Sequence, residues 1–141
     1  MSNIEALKSL HTTLIDAEQG YDTAIQDAED PRMKAIFKRM SSLHARAHAD
    51  VHAILLAKGE RRDESGSFFS LVHKTVISVR SAVMGLGATS LPSFVDGEER
   101  ILGAYDKAIE ATASSDPALE TLHKDRQMLV AAIADMKAEA A

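Results

Sequence analysis

The sequence predicts an all-α protein: a four-helix bundle made of two antiparallel helical hairpins, with an extra crossover helix between them. Apolar residues recur at spacings of three and four almost throughout the 141 residues, which is typical of amphipathic helices. Two dipeptides, Asp30-Pro31 and Asp116-Pro117, interrupt this pattern, and no segment alternates apolar and polar residues as a strand does. Because 141 residues is an ordinary length for one domain, we predict a single domain over residues 1–141.

The first hairpin is predicted from residues 3–29 and 31–58. Ser2-Asn3-Ile4-Glu5 has the pattern of a capping box, in which the serine and glutamate side chains accept N–H groups that the helix leaves free. At Asp30-Pro31 the aspartate suits the N-cap of the second helix, and the proline suits its first position, where no N–H partner is needed. Gly59 is expected to end that helix. The short connection makes the two helices antiparallel neighbours.

The second hairpin is predicted from residues 90–114 and 117–139, because Asp116-Pro117 repeats the signal found in the first. Residues 67–85 are predicted to form the crossover helix. Its length of about 18 residues corresponds to ~27 Å, which is enough to return along the bundle.

Two segments of the predicted hairpins resemble each other. Gly20–Gln26 and Ala104–Glu110 share Tyr, Asp, Ala and Ile in register, and an Asp-Pro dipeptide follows each. We interpret this as duplication of a helical hairpin, with chance similarity between helices of like composition as the alternative. Two hairpins joined by about 30 residues have the topology of the ferritin-like group of bundles.

Composition and charge exclude several classes of function. The net charge of −5 disfavours binding to duplex DNA or to an anionic membrane surface. There is no cysteine, so disulfides, thiolate metal sites and cysteine nucleophiles are excluded. No apolar run approaches the ~18 residues needed to cross a bilayer, and the opening MSNIEALKSL lacks the features of a signal peptide. We therefore expect a cytoplasmic protein that has neither nucleic acid nor membrane as a partner.

The chain resembles a bacterial family of ferritin-like bundles that is labelled a domain of unknown function. The matching residues are spread over nearly the whole chain: Asp16 with Gly20-Tyr21, Ser65-Gly66-Ser67, His73-Lys74, Gly97-Glu98 and Arg126-Gln127. The resemblance implies a ferritin-like four-helix bundle with the helix at 67–85 as an insert. It implies no activity, because the family has none to carry over.

A di-metal site of the ferritin-like kind needs a glutamate from each of two helices and a Glu-x-x-His from each of the other two, all directed inward. Glu98 lies within about 10° of the centre of the apolar face of its helix. A buried carboxylate needs a partner, and Arg126 lies about 25° from the centre of the apolar face of the last helix. Glu98 is therefore predicted to form a structural ion pair with Arg126, to be a metal ligand, or to extend toward the end of the bundle.

The segment HARAHADVH, residues 44–52, holds three of the six histidines. His44 lies about 35° from the centre of the apolar face, His48 about 75° and His52 about 115°. His44 is therefore predicted to point inward, His48 to lie at the boundary and His52 to be exposed. Histidines four residues apart on a helix can chelate one metal ion.

Glu18 lies at the edge of the apolar face of the first helix, with His11 on the same flank. Glu18 and His44 are equally distant along the chain from the first Asp-Pro dipeptide, so an antiparallel hairpin is expected to bring them to one layer. The candidate metal ligands are thus Glu18, His44, His48 and Glu98, for iron or another divalent metal. The alternative for Glu18 is contact with solvent or with the crossover helix.

Three features disfavour an intact di-iron site. The second helix has no Glu-x-x-His, and the literal copy, Glu120–His123, begins the last helix with its glutamate about 145° from the apolar face. The internal repeat also places Glu18 opposite Leu102 and Glu98 opposite Leu14, so the two acids are not pseudo-symmetric. We therefore predict a non-enzymatic structural or interaction protein with no assigned cofactor. The alternative is a metal-binding protein with an oxidative or storage role.

Ile77 and Met84 lie together on the outer side of the predicted crossover helix, away from its main apolar face. An exposed apolar pair of this kind indicates self-association, so we expect a homo-oligomer. The alternative is that a neighbouring loop covers the two side chains. No feature of the sequence identifies another protein partner.

Overall fold

The computed structural model describes residues 2–60 and 91–140. These residues form four helices: α1 (Asn3–Asp27), α2 (Pro31–Ala57), α3 (Leu91–Glu110) and α4 (Ala118–Ala140). The described part of the chain contains no β-strand, so the prediction of an all-α chain with four bundle helices is confirmed. Several predicted features lie outside the described residues: the crossover helix at 67–85, its apolar pair Ile77 and Met84, and the segments Ser65–Ser67 and His73-Lys74.

The predicted starts of both helices in the first hairpin are confirmed. Ser2 Oγ accepts the N–H of Glu5 at 3.2 Å, and the Glu5 carboxylate accepts the N–H of Ser2 at 3.3 Å. Asp30 Oδ1 accepts the N–H of Arg32 at 2.9 Å, and Pro31 is the first residue of α2. Each bond satisfies an N–H group that has no partner within its helix.

The second Asp-Pro dipeptide begins α4 in the same way. Asp116 Oδ1 accepts the N–H of Ala118 at 2.9 Å. Asp116 Oδ2 also accepts a hydrogen bond from Lys58 Nζ at 2.5 Å, so this residue joins the start of α4 to the end of α2. α3 ends at Glu110, before the predicted residue 114, because turns occupy the residues that lead to Asp116.

The first two helices end at defined changes in the backbone. α1 ends at Asp27 because Ala28 is extended, with φ −74° and ψ 132°. After α2 ends at Ala57, Gly59 has a φ of 84°, which lies in the left-handed region that glycine adopts without a steric penalty. Its predicted role in ending the helix is therefore confirmed.

The four helices pack as two hairpins side by side. α1 packs against α2 and α3, and α4 packs against α3 and α2. Asn3 contacts Thr112, whereas Tyr21, at the other end of α1, contacts Glu98, so α1 and α3 are antiparallel. Two ion pairs show that α2 and α4 are antiparallel as well: Arg32–Glu139 and Lys58–Asp116. α2 and α3 therefore run parallel on opposite corners, and the end of α2 and the start of α3 lie at opposite ends of the bundle.

The core contains an aromatic cluster in the half of the bundle that holds the loop between α1 and α2. The ring centroids of Phe37 and Phe94 are 4.8 Å apart, and the ring of Tyr21 lies 5.8 Å and 5.6 Å from them. Tyr21 also stacks on His44, with ring centroids 5.9 Å apart. The aromatic cluster thus adjoins polar side chains inside the bundle.

Candidate functional site

Glu98 is buried inside the bundle, as the helical phase of α3 predicts, and its relative exposure is 1%. The hydroxyl of Tyr21, on α1, donates to Oε1 at 2.5 Å. Nε2 of His44, on α2, lies 2.8 Å from Oε1 and 2.9 Å from Oε2. Tyr21, His44 and Glu98, here called the central network, therefore connect three helices through one carboxylate.

The protons of the central network can be placed from its geometry. Tyr21 is buried, and this burial, together with the charge of Glu98 and their hydrogen bond, raises the pKa of the Tyr21 hydroxyl well above its ordinary value. The hydroxyl therefore remains protonated and donates. His44 is fully buried, and its Nε2 faces both carboxylate oxygens, so Nε2 carries the hydrogen that Glu98 accepts. Within the described residues, Nδ1 of His44 has no hydrogen-bond partner.

The predicted ion pair between Glu98 and Arg126 is wrong. Arg126 Nε donates to Asp106 Oδ1 at 2.7 Å, and its Nη2 lies 3.4 Å from Oδ2. The reason is the axial register of α3 against α4. Glu99, next to Glu98, pairs with Lys137, whose Nζ lies 2.9 Å from its carboxylate. Lys137 is about three helical turns beyond Arg126 along α4, so Arg126 does not reach the level of Glu98.

Glu18 also meets a different partner from the one expected. Its Oε2 lies 2.8 Å from Nδ1 of His48, one helical turn beyond His44. The side chains of Glu18 and His48 are 25% and 31% exposed, so this contact lies at the edge of the bundle. The four candidate metal ligands are therefore brought together as two separate pairs: His44–Glu98 inside the bundle and Glu18–His48 at its edge.

Two further histidines adjoin the outer pair. The ring centroid of His11 lies 5.2 Å from that of His48, edge to face, and 5.5 Å from that of His52, stacked. His52 is thus partly buried, whereas its helical phase predicted exposure. The sequence could have indicated this contact, because His11 and His52 are almost equally far along the chain from Pro31. Residues at equal distances from the turn lie at the same level of an antiparallel hairpin. We call His11, Glu18, His48 and His52 the edge cluster.

The remaining sequence candidates lie apart from both groups. Glu120 and His123 are exposed on the first turns of α4. Within residues 2–60 and 91–140, no group of three or more histidine, aspartate or glutamate side chains is placed so that it could hold a metal ion as the side chains stand.

One buried acid was missed by sequence reasoning. Asp125, on α4, is 3% exposed, and its burial, followed by its interaction with Asp50 of α2, raises its pKa to about 7. Its spacing from Leu122 and Leu129 places it on the apolar face of α4, and this spacing was the available signal.

The two repeated Tyr-Asp segments have corresponding positions in the bundle. Tyr21 and Tyr105 are both buried, and the aspartate after each bonds across its own hairpin. Asp22 accepts a hydrogen bond from Ser41 at 2.5 Å, as Asp106 does from Arg126. The tyrosines differ, however, because Tyr21 donates to a carboxylate and the hydroxyl of Tyr105 has no hydrogen-bond partner in the described part of the chain.

Comparison with known proteins identifies one family. A family model described as Domain of unknown function (DUF2383) matches residues 2–111, which is well over half of the chain. The match includes every residue of the central network and of the edge cluster, and it stops before α4. No curated protein and no solved structure matches the chain. Of the helices in the described ranges, none has the length and apolar character that crossing a membrane requires.

Proposed function

The chain belongs to the family described as Domain of unknown function (DUF2383), and we propose that it is a non-enzymatic, ferritin-like helical bundle that acts through its surface as a structural or interaction protein. The observation that carries this proposal is the central network. Its carboxylate accepts hydrogen bonds from both Tyr21 and His44. The most deeply buried candidate ligand is therefore already engaged in holding three helices together.

The burial of the central network supports a structural role. Glu98 and His44 are at most 1% exposed, so a substrate could touch them only after the helices separate. Buried polar groups that satisfy one another specify how helices pack, because every other arrangement leaves one of them without a partner. In this proposal the chain self-associates through its surface, which light scattering would detect as a mass above the 15.2 kDa of one chain.

The second candidate function is metal binding at the edge cluster, and the grouping of three imidazoles with one carboxylate favours it. His48 and His52 are one turn apart on α2, a spacing at which two histidines can share a metal ion. His11 and Glu18 face them from α1. Zinc, copper, nickel and iron prefer imidazole ligands. Because the rings are stacked or edge to face, binding would require them to turn toward a common point.

Metal analysis separates the two candidates. The chain is purified without chelator or histidine tag, and its metal content is measured before and after anaerobic addition of Fe(II), then after titration with Zn(II). His48→Ala removes the centre of the edge cluster, and His44→Ala opens the central network. The exposed His123→Ala is the matched control, and circular dichroism verifies that each variant is folded.

The non-enzymatic proposal predicts less than one metal ion per chain under all these conditions. One ion per chain, lost in His48→Ala and retained in His123→Ala, would establish the second candidate in its place. One ion per chain, lost in His44→Ala and retained in His48→Ala, would place the metal inside the bundle and contradict both candidates.

A further inference from the structure

The four helices of the described structure differ in charge. α2 contains five cationic residues and one acidic residue. α1 contains five acidic residues and one lysine, α3 five acidic and two cationic residues, and α4 four acidic and three cationic residues. Of these helices, only α2 therefore has a net positive charge, in a chain whose net charge is −5.

The side of α2 that points away from the core carries cations and no acid. Seven exposed residues recur along it at spacings of three and four, which places them on one stripe of the helix. This stripe, here called the basic face, consists of Ala35, Lys38, Ser42, Arg46, Ala49, Ala53 and Leu56. Lys38 and Arg46 form no ion pair in the described part of the chain. Leu56 is 52% exposed, the highest value among the large apolar residues of that part.

The basic face has the shape and charge of a surface that binds an acidic partner. Its alanines and its serine are short, so another helix can approach α2 closely. Contact would also remove the exposed side chain of Leu56 from water. The face does not suit a copy of itself, because its cations would meet cations with no acid to offset them. A partner must therefore present a different and acidic surface.

The chain itself has such a surface along α3. Asp96, Glu99, Gly103, Asp106 and Glu110 recur at spacings of three and four, so they form one stripe that contains four acids and no cation. The side chains of Glu99 and Asp106 are 47% and 57% exposed although both are paired with α4. Asp96 and Glu110 are exposed as well, and neither forms an ion pair within residues 2–60 and 91–140.

An exposed apolar residue of α4 adjoins this acidic stripe. Val130 is 38% exposed and lies between Arg126 and Lys137 on the same side of α4. Because these two cations pair with Asp106 and Glu99, that side of α4 faces α3. The acidic stripe together with Val130 is here called the acidic face. It thus matches the basic face, which combines free cations with the exposed Leu56.

We propose that the basic face of one chain binds the acidic face of a second copy of the chain. This proposal rests on the function proposed above, because it names the surfaces through which the chain self-associates. The two faces are different, so the contact is heterologous and every chain can use both of its faces. Such contacts produce a closed ring or an open filament.

Reversal of the charges on each face, followed by mixing of the two variants, tests the proposal. One variant carries Lys38→Glu and Arg46→Glu, and the other carries Asp96→Lys and Glu110→Lys. Each variant alone should have the mass of one chain, 15.2 kDa, by light scattering, because its two faces then have the same sign of charge. An equimolar mixture should regain a higher mass, because the reversed face of one variant is complementary to the reversed face of the other.

The matched control carries Arg100→Glu and Lys107→Glu. Both residues are exposed cations of α3, but each follows an acid of the acidic stripe directly and is turned from it by about 100°. This variant should keep the mass of the wild type. The mass of the wild type should fall toward that of one chain as salt is added, because salt screens exposed charges. Circular dichroism verifies that every variant is folded.

Three outcomes would overturn the proposal in distinguishable ways. A wild type with the mass of one chain would refute both this contact and the self-association proposed above. An associated wild type whose mass stays the same in either charge-reversed variant would show that other surfaces meet, and self-association would stand. Two charge-reversed variants that are single chains both alone and when mixed would show that the basic and acidic faces do not bind each other.

Discussion

The two repeated tyrosines show how strongly the role of a single residue depends on its partner. Tyr21 and Tyr105 occupy corresponding places in the two hairpins and are both buried. Tyr21 donates to Glu98, whereas in the described ranges the hydroxyl of Tyr105 bonds to nothing. The same chemical change should therefore have different effects at the two positions.

Tyr21→Phe should lower the free energy of unfolding by about 1.5–3 kcal/mol, because a buried carboxylate loses a hydrogen bond. Tyr105→Phe removes a hydroxyl that has no partner, so the free energy of unfolding should change by less than about 1 kcal/mol or increase. Urea midpoints, compared at unchanged m-value, measure both effects. Equal losses at the two positions would show that the hydrogen bond to Glu98 contributes nothing specific.

Glu98 and Arg126 show what can be predicted for single residues. The inward position of Glu98 follows from its spacing relative to neighbouring apolar residues, because each residue turns the helix by about 100°. Its partners could not be derived from spacing, since they belong to helices whose axial register is set by packing along their whole length. Glu98 and Asp106 are eight residues apart on α3, about two helical turns, so the axial register decides which of the two carboxylates lies beside Arg126.

At the scale of helices, the ends were the most predictable features. Ser2, Asp30 and Gly59 have the predicted roles because capping depends on residues within one turn of each other. The predicted end of α3 was less accurate. The turn before Asp116 begins earlier than the apolar spacing indicates.

Two glycine substitutions compare a helix end with a helix interior. Gly59→Ala should lower the free energy of unfolding by about 1–2 kcal/mol, because an L-residue is strained at a φ of 84°. Gly103→Ala, inside α3 with no atom within 4 Å of the added Cβ, should raise it by about 0.5–1 kcal/mol. Thermal unfolding followed by circular dichroism gives both signs. A gain at Gly59 would mean that the left-handed turn is not required.

At the scale of the whole molecule, the family model covers only part of the hydrophobic core. The match ends at residue 111, but α4 supplies several of the most deeply buried side chains of the core: Leu122, Leu129, Ile133 and Met136. Without α4, the apolar faces of α2 and α3 would be in contact with water.

A chain ending at residue 111 should therefore show no cooperative thermal transition by circular dichroism, because its remaining helices lose a large part of their buried apolar area. The control ends at residue 137 and removes only exposed residues of α4, including Glu139, which pairs with Arg32. It should unfold cooperatively, with a loss below about 1 kcal/mol. Cooperative unfolding of the shorter chain would show that α4 is dispensable to the fold.

The sequence by itself determined the helical class, the four bundle helices, the N-caps Ser2 and Asp30, and the inward positions of Glu98 and His44. These properties depend on residues close together in the chain. Only the tertiary structure decided which polar residues meet: Glu98 with Tyr21 and His44, and Glu18 with His48. Such contacts depend on the axial offset between helices, and that offset minimises the free energy of the whole core, so no short segment contains it.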